Sequence, residues 1–398
     1  MSAPHDPILI HHLTPKNFLS FGPDNPGIDL QSLNLFIGPN GCGKSNLIEA
    51  ISLMRSTSKD LRDIIRRGGG VADWIWKGNA TEAAMVDWVV SNPKSPQPIR
   101  HSIEFKSAAV TKTFLLEDER VENENPNKPG EETPYFYYRY QHGQPMVNIK
   151  SDNQPRKLAR DTIDPDRSIL VQRRDPEAYP EMAWLAENYE KIRIYREWVF
   201  GRSNLFREPQ QTDMRNDVLE EDFSNLGLFL NRLKTQPKAK QAILTGLKDL
   251  YHGITDFDVF VQDRTVQVFL TEGDFAIPAT RLSDGTLRYL SLLAILCDPF
   301  PPPLICIEEP ELGLHPDILP NLSDLLKAAS KRTQIIITTH SDILVDSMTD
   351  CPETVVVCEK HNGKTEMKRL SSTELCKWLV DYRLGQLWID GQLGGKRW

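Results

Sequence analysis

Short apolar runs followed by polar or glycine-rich segments mark three places in the chain. Residues 33–37 alternate before a glycine-rich loop, whereas residues 304–307 and 335–337 are wholly apolar. Continuous apolar runs of this kind are typical of strands buried within a parallel sheet. Helical periodicity follows the first strand in residues 45–54 and occurs again in residues 282–296. The pattern therefore predicts an α/β fold.

The long segment between these two parts has a different pattern. Two pairs of β-like runs, in residues 133–150 and 257–270, predict hairpins. Because the chemical motifs lie before residue 55 and after residue 280, we predict an insertion of roughly 220 residues between two halves of one domain. The first half, the inserted mixed α/β lobe or lid, and the second half are placed at 1–55, 56–275 and 276–398.

Composition and charge narrow the class of protein. The 398 residues carry a formal net charge of -8, so any contact with nucleic acid would need a local basic face. We expect no membrane span, since no apolar run is long enough, and no secretory signal at the N-terminus. Six cysteines without C-x-x-C spacing predict reduced thiols, and together these features indicate a cytoplasmic protein.

The glycine-rich loop after the first strand fits the pattern G-x-x-x-x-G-K-[ST] in full. Backbone N–H groups of such a loop surround the phosphates of a nucleoside triphosphate, and the N-terminus of the next helix faces them. Lys44 would neutralise the β- and γ-phosphates, and the Ser45 hydroxyl would bind Mg²⁺. We predict that ATP and Mg²⁺ bind here, with contacts from Gly38, Pro39, Asn40, Gly41, Cys42, Gly43, Lys44, Ser45 and Asn46.

Two acidic side chains and a histidine follow the other two strands. Glu308 and Glu309 stand at the C-terminal end of the second strand, the end beyond which ligands of parallel sheets lie. Adjacent like charges there are costly unless a cation is near. We predict that Glu308 holds Mg²⁺ through water and that Glu309 polarises the attacking water as a general base. His340, after the third strand, is predicted to bond the γ-phosphate or that water.

A second anion cradle precedes the helix in residues 282–296. Ser283, Asp284 and Gly285 lie at the predicted N-terminus of this helix, where a serine hydroxyl and a glycine suit an anion. The glycine-rich loop already holds the phosphates of the chain's own nucleotide. These residues by themselves leave open what the second cradle binds.

The order of the motifs carries a resemblance. The glycine loop, Leu-Ser-Asp-Gly-Thr, strand-Glu-Glu-Pro and strand-Thr-His resemble ATP-binding-cassette heads of the RecF, SMC and Rad50 branch. This resemblance implies that Ser283 and Gly285 act on the nucleotide of a second copy, so that two ATP molecules lie within a head-to-tail homodimer. The run EPELGLHP and the ending LGQLWIDGQLGGKRW further resemble stand-alone bacterial predicted ATPases, related to the overcoming-lysogenisation-defect type of anti-phage defence.

Two features of the sequence depart from that family, and the position of a third, a glutamine, is not settled by the sequence. Most such heads have Asp before the glutamate, whereas this chain has Glu308, whose longer side chain still reaches Mg²⁺ through water. The overcoming-lysogenisation-defect proteins carry a fused Toprim nuclease, and the 58 residues after His340 are too few for one, so we expect any nuclease to be a separate chain. The resemblance implies a glutamine linking Mg²⁺ to the lobe. Gln172 is the candidate and Gln210 the rival, and a surface amide is the alternative for either.

The function that the resemblance implies is an ATPase that dimerises on ATP and controls a separate effector, expected to be a nuclease, in anti-phage defence. Two alternatives stay open. One is a DNA repair or recombination ATPase that acts on DNA directly. The other is an ATP-gated scaffold in which turnover is incidental. DNA as a partner and an oligomer larger than the dimer also stay open.

Overall fold

The apolar runs form strands of one sheet in the computed structural model, which describes residues 7–79, 82–108, 111, 113–127, 130, 133–141, 144–148, 155–159, 162–164, 166–199, 201, 207–262 and 264–395. The six strands of this central sheet are, in spatial order, β10 (Arg193–Tyr195), β15 (Leu304–Glu308), β16 (Gln334–Thr338), β3 (Leu33–Ile37), β17 (Val355–His361) and β18 (Lys364–Arg369). Neighbouring strands are parallel except β17 and β18, which form an antiparallel pair. The predicted α/β fold is confirmed.

Two antiparallel sheets accompany the central sheet. The larger has, in spatial order, β2 (Ile28–Asp29), β1 (Ile10–Lys16), β4 (Ala84–Val90), β5 (Ile99–Ser107), β6 (Phe114–Asn123), β7 (Phe136–Gln141), β8 (Gln144–Asn148) and β9 (Pro155–Lys157). The smaller contains β11 (Gln210–Gln211), β12 (Ile254–Gln262), β13 (Thr265–Glu272) and β14 (Phe275–Pro278). Both predicted hairpins occur, as β7 with β8 and as β12 with β13.

Twelve α-helices lie among the described residues. They are α1 (Lys44–Thr57), α2 (Leu61–Arg67), α3 (Val71–Trp74), α4 (Ile169–Gln172), α5 (Pro180–Lys191), α6 (Leu226–Lys234), α7 (Pro237–Leu250), α8 (Asp284–Leu296), α9 (Leu319–Ala329), α10 (Asp342–Asp346), α11 (Ser372–Leu375) and α12 (Leu384–Ile389). None of these helices combines the length and the apolar character that a membrane crossing requires.

Alternate residues of the central strands face two different cores. Ile305 and Ile337 pack on one face with residues of α8, α9 and the smaller antiparallel sheet. Cys306 and Ile336 pack on the other face with residues of α1, α5 and the larger antiparallel sheet. Because both faces are covered, the strands are apolar without interruption, which explains the runs seen in the sequence.

The segment predicted as an inserted lobe supplies strands to all three sheets, including β11, β12 and β13 of the smaller one. Its strands β4 to β9 extend a sheet that begins with β1 and β2 from the N-terminal part. Its strand β10 pairs in parallel with β15 of the central sheet. In the fold, residues 193–195 therefore belong to the central sheet, while the division at residues 55 and 275 stays a prediction.

Candidate nucleotide site

The carboxyl ends of four central strands bring most of the predicted site residues to one edge. Strand β3 leads into the glycine-rich loop, β15 ends at Glu308, β16 leads to His340, and β10 leads to Arg196. The register sets Glu308 beside Thr338. Parallel strands of this kind bind their ligands beyond this edge.

The backbone of the glycine-rich loop needs glycine at two positions. Gly38 and Gly43 have φ angles of 144° and 107°, which disfavour any side chain. A Cβ atom at Gly38 would lie 2.2 Å from the carbonyl oxygen of Cys358, and one at Gly43 would lie 2.2 Å from Oγ1 of Thr365. The Thr365 hydroxyl also donates to the carbonyl oxygen of Cys42 at 2.7 Å. Strands β17 and β18 therefore pack directly against the glycine-rich loop and hold it in place.

Lys44 lies inside the loop that it belongs to. Its Nζ donates to the carbonyl oxygens of Gly38 and Pro39, at 2.8 and 3.1 Å. The 14-residue helix α1 begins at this lysine, and its first turn contains no acidic side chain. The positive end of α1 thus meets the loop without a competing carboxylate from that turn, which favours an anion there.

The other loop residues differ in their surroundings. Asn40 and Gly41 are exposed at the turn, and Pro39 is half-buried. The amide of Asn46 donates to Oγ of Ser20 at 2.7 Å. A direct contact between Asn46 and nucleotide stays a prediction that would compete with this bond.

Ser45 and Glu308 are in direct contact. The Ser45 hydroxyl donates to Oε2 of Glu308 at 3.2 Å, and the other carboxylate oxygen, Oε1, is buried without a hydrogen-bond partner. Burial raises the pKa of Glu308, and Arg196 and the bond from Ser45 oppose this rise. A hydroxyl and a carboxylate are the hard oxygen ligands that Mg²⁺ prefers, so these residues fit the ion.

Glu309 has a backbone conformation that non-glycine residues rarely adopt. Its φ angle is 46°, and its N–H donates to the carbonyl oxygen of Thr338 at 2.9 Å. The guanidinium of Arg288 donates to the Glu309 carbonyl oxygen. The Glu309 carboxylate lies 3.7 Å from Nε2 of His340. Conformations of this kind occur at functional sites where the surroundings over-determine them.

The second cradle, formed by Ser283, Asp284 and Gly285, lies at the N-terminus of α8, which Ser283 caps. Ser283 is exposed, and its Oγ accepts a hydrogen bond from the N–H of Thr286 at 3.1 Å. Asp284 accepts from the N–H of Gly201 and pairs with Arg207, whose bond keeps the pKa of Asp284 below its usual range. Since Arg207 offsets this charge, the N-terminus of α8 stays suited to an anion.

The two candidate glutamines have other partners. The Gln172 amide accepts from the N–H of Asp164 at 2.8 Å and donates to the carbonyl oxygen of Arg167 at 2.8 Å. Buried Gln210 accepts from the N–H of Gly227 at 2.6 Å. A link from either amide to Mg²⁺ stays a prediction that would require these bonds to break. Within residues 56–275, the segment predicted as the inserted lobe, the side chain of Arg196 lies beside Glu308, with its Nε 3.9 Å from Oε1.

A family model with the description "AAA domain, putative AbiEii toxin, Type IV TA system" matches residues 33–346. The chain belongs to this AAA-domain family. No curated protein matches this AAA-domain chain in sequence.

Two solved structures share the fold of the AAA-domain chain. One is an SMC head bound to the C-terminal winged-helix domain of ScpA, at 15% identity and a TM-score of 0.54, covering 92% of this chain and 99% of that one. The other is an Smc head with an extended coiled coil bound to the C-terminal domain of ScpA, from Pyrococcus furiosus, at 13% identity and a TM-score of 0.53, covering 94% and 99%. The predicted RecF/SMC-like ATPase fold is confirmed, and the narrower kinship to the overcoming-lysogenisation-defect type stays a prediction.

The AAA-domain site contains four residues that our sequence analysis did not identify. Oε1 of Glu311 accepts from the Thr339 hydroxyl at 2.7 Å and from the N–H of His340 at 2.8 Å, which fixes the position of the histidine. Its place two residues after Glu309 was a usable signal. The other three are Arg196, Trp198 and Arg288, for which the sequence offers no comparable spacing.

A pair of thiols lies against the phosphate loop of the AAA-domain chain. Cys42 and Cys358 are both buried, and Sγ of Cys42 lies 3.8 Å from Nζ of Lys44. A hydrogen bond from Cys358, with the charge of Lys44, outweighs burial and lowers the pKa of Cys42 to about 6. The same bond and burial raise the pKa of Cys358. The bond from Cys358 and the Lys44 ammonium therefore favour the thiolate form of Cys42 over that of Cys358.

Proposed function

We propose that this chain binds and hydrolyses ATP in a head-to-tail homodimer and that the cycle controls a separate effector protein. The observation that carries the proposal is the contact of Ser45 with Glu308 at the edge where Lys44, Glu309 and His340 also lie. The AAA-domain family and the SMC-head fold imply the ATPase activity. The dimer and the effector are the finer parts of the proposal.

Each residue has a distinct part in hydrolysis. Lys44 exchanges the carbonyl oxygens of Gly38 and Pro39 for phosphate oxygens, and the N–H groups of the loop bind the same phosphates. Glu309 accepts the proton of the attacking water, and His340, 3.7 Å away, orients this carboxylate or the terminal phosphate. Ser45 and Glu308 would hold Mg²⁺, which neutralises charge on the phosphates when it is bound.

The second cradle supports the dimer. Ser283 is exposed at the N-terminus of the 13-residue helix α8, and Arg207 offsets the charge of Asp284. A capped helix end of this length suits an anion. The γ-phosphate held by a second copy is the anion that we propose, with Ser283 and Gly285 facing it.

Support for an effector comes from the relatives. The family description names a toxin and a Type IV TA system, and the titles of both SMC-head structures name a bound ScpA domain. We propose that a separate protein docks on this head in the same general manner, and that it is a nuclease acting in anti-phage defence. The formal net charge of -8 gives no comparable support for direct action on DNA.

Lys44→Ala tests the ATPase proposal. We expect this variant to lose ATP binding by about 100-fold or more and to lose hydrolysis with it, because the ammonium is the charge nearest the phosphates. The assays are phosphate release and equilibrium binding of a fluorescent ATP analogue. Lys248→Ala, the same truncation at an exposed position of α7, is the matched control and should behave as wild type. Equal binding by Lys44→Ala and wild type would refute the site.

The lowered pKa of Cys42 predicts a pH dependence of ATP binding. When phosphate takes Lys44, the thiolate is left beside an anion, so its pKa rises from about 6 and binding takes up a proton. The dissociation constant of wild type, divided by that of Cys42→Ser, should therefore rise about threefold or more between pH 5.5 and pH 8. The ratio cancels the titration of ATP itself. A flat ratio would show that ATP binding does not change the pKa of Cys42, and it would refute this coupling.

A further inference from the structure

A guanidinium group lies beside the predicted magnesium ligands. Arg196 directly follows β10, and its Nε is 3.9 Å from Oε1 of Glu308. Its Nη1 donates a hydrogen bond to Oε1 of Glu49, which lies on α1. Because Oε2 of Glu308 accepts from the Ser45 hydroxyl, a single carboxylate separates Arg196 from the phosphate loop.

The segment that follows β10 is anchored to the end of β15. The indole N–H of Trp198 donates to the carbonyl oxygen of Glu308 at 3.0 Å. The guanidinium of Arg288 lies 4.0 Å from the centroid of the Trp198 ring, and it also donates to the Glu309 carbonyl oxygen. These contacts hold the backbone near residue 196 against the end of β15. Arg196 therefore lies at the same edge of the sheet as Glu308 and Glu309.

Carboxylates outnumber the arginine that pairs with them at the carboxyl edge of the central sheet. Glu49, Glu308 and Glu309 contribute three carboxylates, and Arg196 is the cation that contacts two of them. Its side chain is 28% exposed, so the charges interact more strongly than they would in bulk water. A nucleoside triphosphate brings more negative charge to the same place. A planar guanidinium can bind a carboxylate and a phosphate oxygen at once.

We propose that Arg196 contacts the terminal phosphate of the ATP bound to its own chain and is a catalytic residue of hydrolysis. The inference rests on the proposed ATPase function and adds a group to its active site. Glu49 holds the guanidinium at the edge of the site before nucleotide arrives. In this proposal Arg196 is a phosphate ligand and not a metal ligand.

The chemical step is balanced without any further reactant. The oxygen of water bonds to the terminal phosphorus, the bond from that phosphorus to the bridging oxygen breaks, and ADP leaves. Glu309 receives the proton of the water. Arg196 stays protonated throughout and offsets the charge on the oxygens of the transferring group, as an arginine supplied by the same chain does in other nucleotide hydrolases.

The decisive experiment compares ATP with ADP. For Arg196→Ala we expect kcat to fall about 100-fold or more, and ATP affinity to fall about fivefold or more, while ADP affinity changes less than about twofold. Arg196→Lys keeps a cation without the fork, so its kcat should lie between the two. Equal losses of ATP and ADP affinity would show a structural role and overturn the proposal, as would an unchanged kcat.

Two controls separate the possible causes. Glu49→Gln removes the charge of the ion pair but keeps an oxygen that can accept a hydrogen bond from the guanidinium, so its loss of kcat should be much smaller than that of Arg196→Ala. If Glu49→Gln instead loses as much activity as Arg196→Ala, the ion pair is the important feature and the proposal fails. Arg215 lines a cleft together with Glu49 and Arg196 and pairs with Asp217, so Arg215→Ala removes a neighbouring arginine and should behave as wild type.

Failure of this inference is distinguishable from failure of the proposed function. If wild type and Lys44→Ala bind ATP equally, the nucleotide site itself is wrong. If wild type binds ATP through Lys44 but hydrolyses it too slowly to measure, the ATP and ADP affinities of Arg196→Ala still test the proposal, because a loss of ATP affinity alone supports it and equal losses overturn it. Melting temperatures of Arg196→Ala and Arg196→Lys, measured without nucleotide, show whether either variant is misfolded.

Discussion

Glu309→Gln is expected to bind ATP, to hydrolyse it about 100-fold or more slowly than wild type, and to accumulate as a dimer. Glutamine has nearly the same shape, and the bonds that fix the backbone of residue 309 come from its N–H and its carbonyl oxygen, which the substitution keeps. The amide cannot accept a proton from the attacking water, so ATP stays intact between the two copies of the dimer. Phosphate release, together with light scattering after gel filtration in ATP, measures both effects.

The charge that the substitution removes has a second consequence. Glu309 adds to the repulsion at an edge that already contains Glu308 and Glu49, so its neutralisation should tighten ATP binding. Glu366→Gln, an exposed position of β18, is the matched control for the change of charge. Hydrolysis by Glu309→Gln at the wild-type rate would show that Glu309 is not the general base. Full protection of cells against phage by the same variant would favour the scaffold alternative.

The sequence was sufficient to predict the strands that carry the chemistry. Residues 304–307 and 335–337 are apolar because both faces of the central sheet are covered, and that pattern is local. The glycine loop and Glu308 were likewise predictable, since phosphate and metal chemistry requires fixed residue types at fixed short spacing. The same reasoning placed Ser283 at a helix N-terminus, which the structure confirms.

The role of β10 could not be predicted in this way. It has three residues, Arg193–Tyr195, and its pairing with β15 joins positions more than a hundred residues apart. Nothing in its own pattern indicates a buried parallel strand, so Arg196 had no motif to reveal it. Gln172 follows an apolar run, and this position suggested a metal ligand. Its amide bonds to Asp164 and Arg167, contacts that no sequence pattern indicates, so a link to Mg²⁺ stays a prediction that would require these bonds to break.

The largest expected effect of all concerns two inactive variants that restore activity when mixed. Lys44→Ala lacks the charge that binds phosphate in its own loop. Ser283→Asp keeps a good helix cap but sets a carboxylate where we propose that the γ-phosphate of the partner copy lies. Alone, each variant should hydrolyse ATP about 100-fold or more slowly than wild type, since every site in either homodimer lacks one half.

Mixing them creates one intact site for each heterodimer. That site pairs the loop of the Ser283→Asp chain with the cradle of the Lys44→Ala chain. Random exchange in an equal mixture makes half of the dimers mixed, so activity should recover to as much as about a quarter of the wild-type rate per chain. Steady-state phosphate release, measured over a range of mixing ratios, should peak at equal amounts.

Ser283→Asn supplies the matched control because asparagine caps a helix as well as aspartate does and carries no charge. It should retain far more activity than Ser283→Asp, which assigns the loss to repulsion of phosphate instead of damage to α8. If Ser283→Asp proves fully active alone, the cradle does not meet phosphate at all. If both variants are inactive and mixing recovers nothing while heterodimers are present, Ser283 and Lys44 serve the same nucleotide within one chain, and the shared active site is wrong.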